Sequence, residues 1–364
     1  MASATESQTP PPVASGGEAP GHGAAAAQSP WQRWGEVLRT QNLQSLRAGV
    51  RPDPISRWLL ITRASVFPMT LTSAVLGGLL AIAGPTPVAA HWGFFALAVL
   101  GLLLAHAANN MINDWFDLSG GVDSDSYVRG QYAPHPILSG LISKPGLVAA
   151  IAVTNLLDLA ILAYLYTQRG WAVVAFALAG LFISVFYVAP PLKLKHRGLG
   201  EPGVFLVWGP LMIGGTYFVT TGQIPAWVIA ASLPYALLVT VVLFGKHIDK
   251  LDADAAKGIR TLPVILGAAP ARSAAQALIV SYFAVVGLLV LTGTLGVWTL
   301  ATFAALPRAV QVMRVIGAPP PEAPPPGYPL WPLWYVAWAF LLTRLAGVLL
   351  ALGLVANAIY PVFL

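Results

Sequence analysis

The sequence contains no cysteine, and only 9% of its 364 residues are charged. The first absence excludes disulfides and thiolate metal sites. The second, beside a hydrophobic fraction of 57% and twelve Trp, describes a polytopic membrane protein rather than a soluble core. Residues 1–30 also lack an apolar stretch long enough for a signal peptide; rich in Ala, Pro, Ser and Gly, they read as a disordered cytoplasmic tail.

What is present is a series of long apolar runs. Nine candidate spans fall near residues 59–83, 92–112, 147–167, 171–189, 203–221, 226–246, 273–294, 297–315 and 333–357, with Pro307 and Arg308 interrupting the eighth. Each has the length to cross roughly 30 Å of hydrocarbon at about 1.5 Å per residue. The expected fold is all-α: a polytopic helical bundle around a central cytoplasm-facing cavity. Its expected domains are a disordered or amphipathic tail over 1–56 and a transmembrane domain over 57–364. Within the tail, Trp31, Trp34, Val37 and Leu38 suggest a short amphipathic surface helix. The Pro run from Pro319 to Pro332 suggests a stiff, extended linker before the last span.

Lys and Arg fall on alternate connections. Arg129 and Lys144 follow the second span, Lys193, Lys195 and Arg197 the fourth, and Lys250, Lys257, Arg260 and Arg272 the sixth, whereas the other set of loops holds only Arg169. The positive-inside rule then places the protein in the cell membrane as a multi-pass chain with a cytoplasmic N-terminus and its C-terminus on the opposite side. The net charge of +6 reflects this loop bias and calls for no nucleic acid.

The scarce acids are unevenly placed. Asp114, Asp117, Asp123 and Asp125 crowd the end of the second span, and Asp249, Asp252 and Asp254 end the sixth; together they are seven of the fourteen acids in the chain. Hydrocarbon disfavours ionised groups, so such clusters point to a cation site or an ion path. Asn110, Asp114 and Asp117 share a helix face by their spacing, with Asn113 beside them. Gly120-Gly121 lets the backbone turn so that Asp123 can return. One or two carboxylates with water and phosphate oxygens is a set that suits Mg²⁺.

A basic loop, Lys193-Leu-Lys195-His196-Arg197, lies on the same face of the membrane as both clusters. Its cations suit the charge of a diphosphate that a metal leaves unneutralised. Acids, cations and lipid-facing helices together describe a site for an amphiphile with a diphosphate head. A cation-coupled transporter would also gather intramembrane acids, but no clear internal repeat accompanies these, and they sit at one membrane face.

Here the residues resemble the UbiA superfamily of membrane prenyltransferases, over roughly residues 57–360. Asn113, Asp114, Asp117, Gly121 and Asp123 match N-D-x-x-D-x-x-x-G-x-D. Together with the tracts Leu192–Tyr217 and Gly258–Gly267, this spacing is most similar to the menaquinone branch, which prenylates dihydroxynaphthoate. The chain departs from the pattern at Lys250, where an acid is usual and Asp249 sits one position early, and at His135, where many relatives carry Arg. The resemblance implies Mg²⁺-dependent transfer of an isoprenyl chain from a prenyl diphosphate to an aromatic acceptor within the bilayer. Other acceptors of the superfamily, such as another phenol, a porphyrin-type ring or an isoprenoid chain, stay open. It implies metal ligands at Asp114, Asp117, Asp123, Asp252 and Asp254, with Asp249 joining the catalytic acids. Arg63, Asn110, Asn113, Arg129, Tyr187, Lys193, Lys195 and Arg197 are the implied substrate-binding residues. Trp115, Phe116, Phe186 and Tyr187 are candidates to line a dry pocket for an allylic cation.

Three polar groups lie inside spans. Asp158 and Arg344 are expected to pair with one another, or Asp158 to bond Asn155, and His106 to be a satisfied core histidine.

Overall fold

The computed structural model describes residues 28–47, 49–119 and 132–364. Among these the backbone is helix and turn, with one strand-like contact, an isolated bridge between Arg197 and Arg260. Two short helices, α1 (Pro30–Thr40) and α2 (Pro54–Ile61), lead into the bundle. Then come α3 (Ala64–Ala83), α4 (Trp92–Ser119) and α5 (Lys144–Arg169), each long and apolar enough to cross a membrane. α6 (Trp171–Phe186) follows, and after it α7 (Gly200–Thr221) and α8 (Ala226–Asp249). A one-turn helix, α9 (Leu251–Ala256), precedes α10 (Ala268–Leu291), α11 (Leu306–Gly317) and the last helix, α12 (Tyr335–Ile359).

All nine expected spans coincide with helix, but among the described residues seven are long and apolar enough to cross a membrane. α6 has 16 residues, or about 24 Å of helix, short of the hydrocarbon thickness. The eighth is split into a 3₁₀ stretch, Val297–Ala305, and α11, with Pro307 in the first turn of α11. Proline is accommodated there because its missing N–H is one the helix would leave unbonded.

α8 is the hub, with 72% of its apolar stretch buried in the protein against 6% for α5. It packs on α10 and α12, while α5 packs on α4 and turns Val153, Leu156, Leu157 and Leu159 outward, as a lipid-facing helix does. Lipid is as apolar as the core, so close packing holds these helices together rather than water exclusion. A Cβ on Gly77 would lie 2.5 Å from the Ile213 carbonyl oxygen, and one on Gly245 would lie 2.8 Å from the Val336 nitrogen. These contacts bring α3 against α7 and α8 against the start of α12. In α7 the stretch Val207–Gly214 widens into a π-helix around Pro210, whose ring cannot donate to the ladder.

Part of the expected tail is folded. Ser29 caps α1, and Val37 and Leu43 are buried against Leu60, Ile61, Met111 and Leu147. Trp31 is 76% exposed, so the expected apolar face is only partly docked. Asp53 caps α2 by accepting from the Ser56 backbone (3.0 Å) and hydroxyl (2.7 Å), and it also accepts from the Trp34 indole at 2.9 Å. Burial opposes ionisation of Asp53, but these bonds and nearby Arg33 outweigh it and hold its pKa at about 2.

Candidate active site

The end of α4 carries the first acidic cluster. Its 3.6-residue period turns Asn110, Asp114 and Asp117 to one side. Asp114 is fully buried and pairs with Arg63, and its carbonyl lies 3.3 Å from His135 Nε2. The backbone N–H groups of Ile137 and Leu138 approach His135 Nδ1 at 3.2 and 3.4 Å, which leaves Nε2 as the protonated nitrogen. Arg63 reaches Asp114 from a left-handed turn (φ 53°) that joins α2 to α3. Asn110 donates to the Thr62 carbonyl at 2.9 Å, fixing the same turn.

Asp117 faces Lys195 Nζ at 3.6 Å, with both side chains largely buried. The Lys195 backbone N–H donates to the Tyr187 carbonyl at 3.0 Å, so the basic loop folds back over the end of α6. The loop's other cations do not join it: Lys193 and Arg197 are exposed, and the Arg197 side chain bonds the Pro191 carbonyl at 3.1 Å. The bridge from Arg197 to Arg260 ties this loop to the segment after α9. Burial, Lys195 and Lys193 hold the His196 imidazole below its usual range, against the opposing fields of Asp117 and Asp254.

The second cluster is dispersed. Asp249 Oδ1 and Oδ2 accept the Tyr335 and Val336 backbone N–H groups at 2.8 and 3.0 Å, capping α12. Asp252 is exposed, whereas Asp254 is fully buried and pairs with Lys250 at 3.8 Å. Two residues apart on a helix, Asp252 and Asp254 point to different sides, so the expected pair of ligands there is not brought together. Asp123 and Arg129 lie outside the described residues. Among the described residues no group of three or more His, Asp or Glu side chains gathers at metal-binding spacing.

Below the first cluster lies a cavity of about 610 Å³. Arg63, Asn109, Asn110, Asn113, Tyr187 and Lys246 line its polar end, and Leu97, Leu162, Leu165 and Phe176 its apolar depth. Its aromatic wall comes from Trp208, Tyr328 and Phe340, with Tyr187 the expected aromatic that joins them; Trp115 instead packs under α1, and Phe186 against Phe182. The cavity is a slot for an amphiphile, polar at one end and mostly apolar along its length, where Asn155 and Asp158 of α5 also line it.

A sequence profile of the UbiA prenyltransferase family matches residues 70–324. The chain belongs to this family. It is a membrane-bound prenyltransferase. It is 25% identical over 228 residues to the 1,4-dihydroxy-2-naphthoate octaprenyltransferase of Bacillus subtilis, covering 60% of this chain and 70% of that one. It is 28% identical over 256 residues to the 2-carboxy-1,4-naphthoquinone phytyltransferase of Synechocystis, covering 70% and 78%. The fold matches a UbiA homologue from Archaeoglobus fulgidus bound to GPP and Mg²⁺ with a TM-score of 0.58 at 14% identity, over 82% of this chain and 99% of that one. The apo UbiA homologue from Aeropyrum pernix also gives 0.58, at 19% identity over 80% and 97%.

Within this UbiA bundle several site features escaped the sequence reading. Tyr187 OH lies 3.5 Å from His247 Nε2, and His247 Nδ1 lies 2.6 Å from Glu201 Oε1, forming a largely buried chain from the residue after α6 through α8 to α7. The Pro-rich linker does not run straight; Tyr328, Leu330 and Leu333 fold into the cavity wall. Arg39, Thr40 and Gln41 at the end of α1 reach it too. His106 bonds Thr70 at 2.7 Å, as a satisfied histidine, yet also lines the cavity. The expected Asp158–Arg344 pair does not form. Arg344 Nη2 donates to the Ser65 carbonyl at 3.2 Å, Asn155 donates to the Ile151 carbonyl at 2.8 Å, and Asp158 lies against Gly101. The rotation of α5 and α12 about their own axes sets these directions, and spacing along the chain carries no record of it.

Proposed function

We propose that this chain transfers a prenyl group from a prenyl diphosphate to a ring carbon of a dihydroxynaphthoate-like acceptor at the cytoplasmic face of the cell membrane, with Mg²⁺ as cofactor. The observation that carries the reading is the juxtaposition of two buried acid–cation pairs, Arg63–Asp114 and Lys195–Asp117, with a cavity of about 610 Å³ that becomes mostly apolar along its length. The relatives named for naphthoate and naphthoquinone prenylation favour that acceptor class. The loop charges favour a cytoplasmic N-terminus and a C-terminus on the opposite side.

The residues at the first cluster fit a hard cation. Besides two carboxylates they include Asn113 Oδ1, buried and without a hydrogen-bond partner among the described residues. Asp114, Asp117 and Asn113 would hold Mg²⁺, and Asp123 is the further acid we assign to it. When bound, the ion neutralises charge on the diphosphate. The second cluster fits less well, since Asp249 is engaged as the cap of α12 and exposed Asp252 points away from buried Asp254.

The remaining roles belong to protein groups. Arg63 and Lys195, held in place by the acids they face, stabilise negative charge on the leaving diphosphate as the carbon–oxygen bond breaks. Trp208, Tyr328 and Phe340 present ring faces to the allylic cation and exclude water until the acceptor ring attacks. The apolar helices hold the prenyl tail beside lipid.

The test is a purified protein in detergent given Mg²⁺, prenyl diphosphates of mixed length and a panel of aromatic acceptors, with products followed by mass spectrometry. A prenylated dihydroxynaphthoate supports the reading. Prenylation of only a different acceptor moves the pathway, and absence of metal-dependent diphosphate release with every donor overturns the reading.

A further inference from the structure

Arg344 is a charged group in the cavity that the chemistry above leaves without a role. It sits inside α12, where a cation is costly unless it is answered by an anion or by water. Its Nη2 donates to the Ser65 carbonyl, its guanidinium carbon lies 5.4 Å from the centre of the Phe340 ring, and its Nε is buried with no hydrogen-bond partner among the described residues. Among the described residues no carboxylate lies within ion-pair distance of it, in contrast to Arg63, which has Asp114. The acid expected to answer it, Asp158, lies against Gly101 instead. Ser65, its hydrogen-bond partner, is two residues beyond Arg63, so the guanidinium stands beside the polar end of the cavity. Phe340 beside it, with Tyr328 and Trp208 elsewhere on the wall, offers ring faces to a flat aromatic molecule.

We propose that Arg344 binds the carboxylate of an aromatic acceptor and so sets which ring enters the cavity. The proposal rests on the prenyl-transfer reading only for the kind of molecule it names. A guanidinium is a planar fork suited to a carboxylate, and the unmet Nε–H is the donor such a group would accept from. A carboxylate here neutralises the buried cation and leaves the aryl ring lying along Phe340, with Arg63 and Lys195 left for the diphosphate. An aryl alcohol without the carboxylate would enter the same wall with the charge unanswered.

The experiment measures direct binding to the full chain in detergent, by titration calorimetry without turnover. The probes are 1-hydroxy-2-naphthoate, 1-naphthol and geranyl diphosphate with Mg²⁺. The wild type is expected to bind the naphthoate about tenfold or more tightly than the naphthol, as a charge-assisted hydrogen bond gives. Arg344→Gln should abolish that preference while geranyl diphosphate binding and the melting temperature stay unchanged. Arg344→Lys keeps the charge but not the fork, and should retain only part of the preference, which keeps the test decisive if the Gln variant does not fold. No preference in the wild type, a preference that survives in both variants, or a loss directed at geranyl diphosphate would each overturn the proposal. Because binding is read without chemistry, a wild type that binds naphthoate but transfers no prenyl group contradicts the proposed reaction and leaves this site standing.

Discussion

Three cations of one loop, Lys193, Lys195 and Arg197, look equivalent along the chain, and the fold separates them. Lys195 is buried with its ammonium 3.6 Å from Asp117, while Lys193 and Arg197 face outward. Replacing Lys195 by Met removes a preorganised cation from the first acidic cluster, where the proposed function puts the diphosphate. Loss of one such group costs about 2.7–4 kcal/mol in the transition state, or about 10²–10³ in rate. The same change leaves Asp117 without this partner. For a fully buried pair that costs about 3–5 kcal/mol of stability, and because both side chains here keep some contact with solvent the lower end applies, about 3 kcal/mol. Lys193→Met should change stability by no more than about 0.5 kcal/mol, with a comparably small effect on rate. The assay is single-turnover diphosphate release at saturating donor, run below the melting transition of every variant, with Lys195→Arg as a control that keeps the charge. Equal losses in Lys193→Met and Lys195→Met, or none in either, would refute the assignment of the buried lysine.

Two further predictions test groups outside that loop. Asp249→Ala removes the cap of α12 and should lower unfolding stability by about 1–2 kcal/mol, with the Mg²⁺ concentration dependence of turnover unchanged; an altered metal dependence would contradict its assignment as a cap. Asp53 has its folded pKa lowered from 3.8 to about 2, so its stabilisation is complete above pH 3.8 and lost as pH falls through 2. The stability gap between wild type and Asp53→Asn, read from unfolding in an acid-tolerant detergent, should therefore be constant above about pH 5, shrink from about pH 4 and close as pH falls through about 2; a gap that widens on acidification contradicts the sign.

Much of the architecture is legible in the sequence because a membrane imposes length and hydropathy on every crossing. The positions of the spans follow from that, as does the shared face of Asn110, Asp114 and Asp117, which helical period alone determines. The same period argues against pairing Asp252 with Asp254, and the structure turns them apart. What spacing cannot carry is contact between distant helices. Arg63 meets Asp114 across 51 residues of chain, and Tyr187, His247 and Glu201 converge from three helices. Asp249 stood among the catalytic acids by its neighbours, yet Gly245 brings α12 so close to α8 that the carboxylate meets its first N–H groups. The linker from Pro319 to Pro332 reads as extended by composition, while Tyr328 and Leu333 within it find the cavity wall.

The most direct test of the central claim is the Mg²⁺ dependence of prenyl transfer in wild type and in Asp114→Asn, with circular dichroism confirming that both bundles are folded. The account predicts saturable Mg²⁺-dependent product formation in the wild type and none in the folded variant. Asp114→Asn turning over with wild-type rate and metal dependence would contradict it.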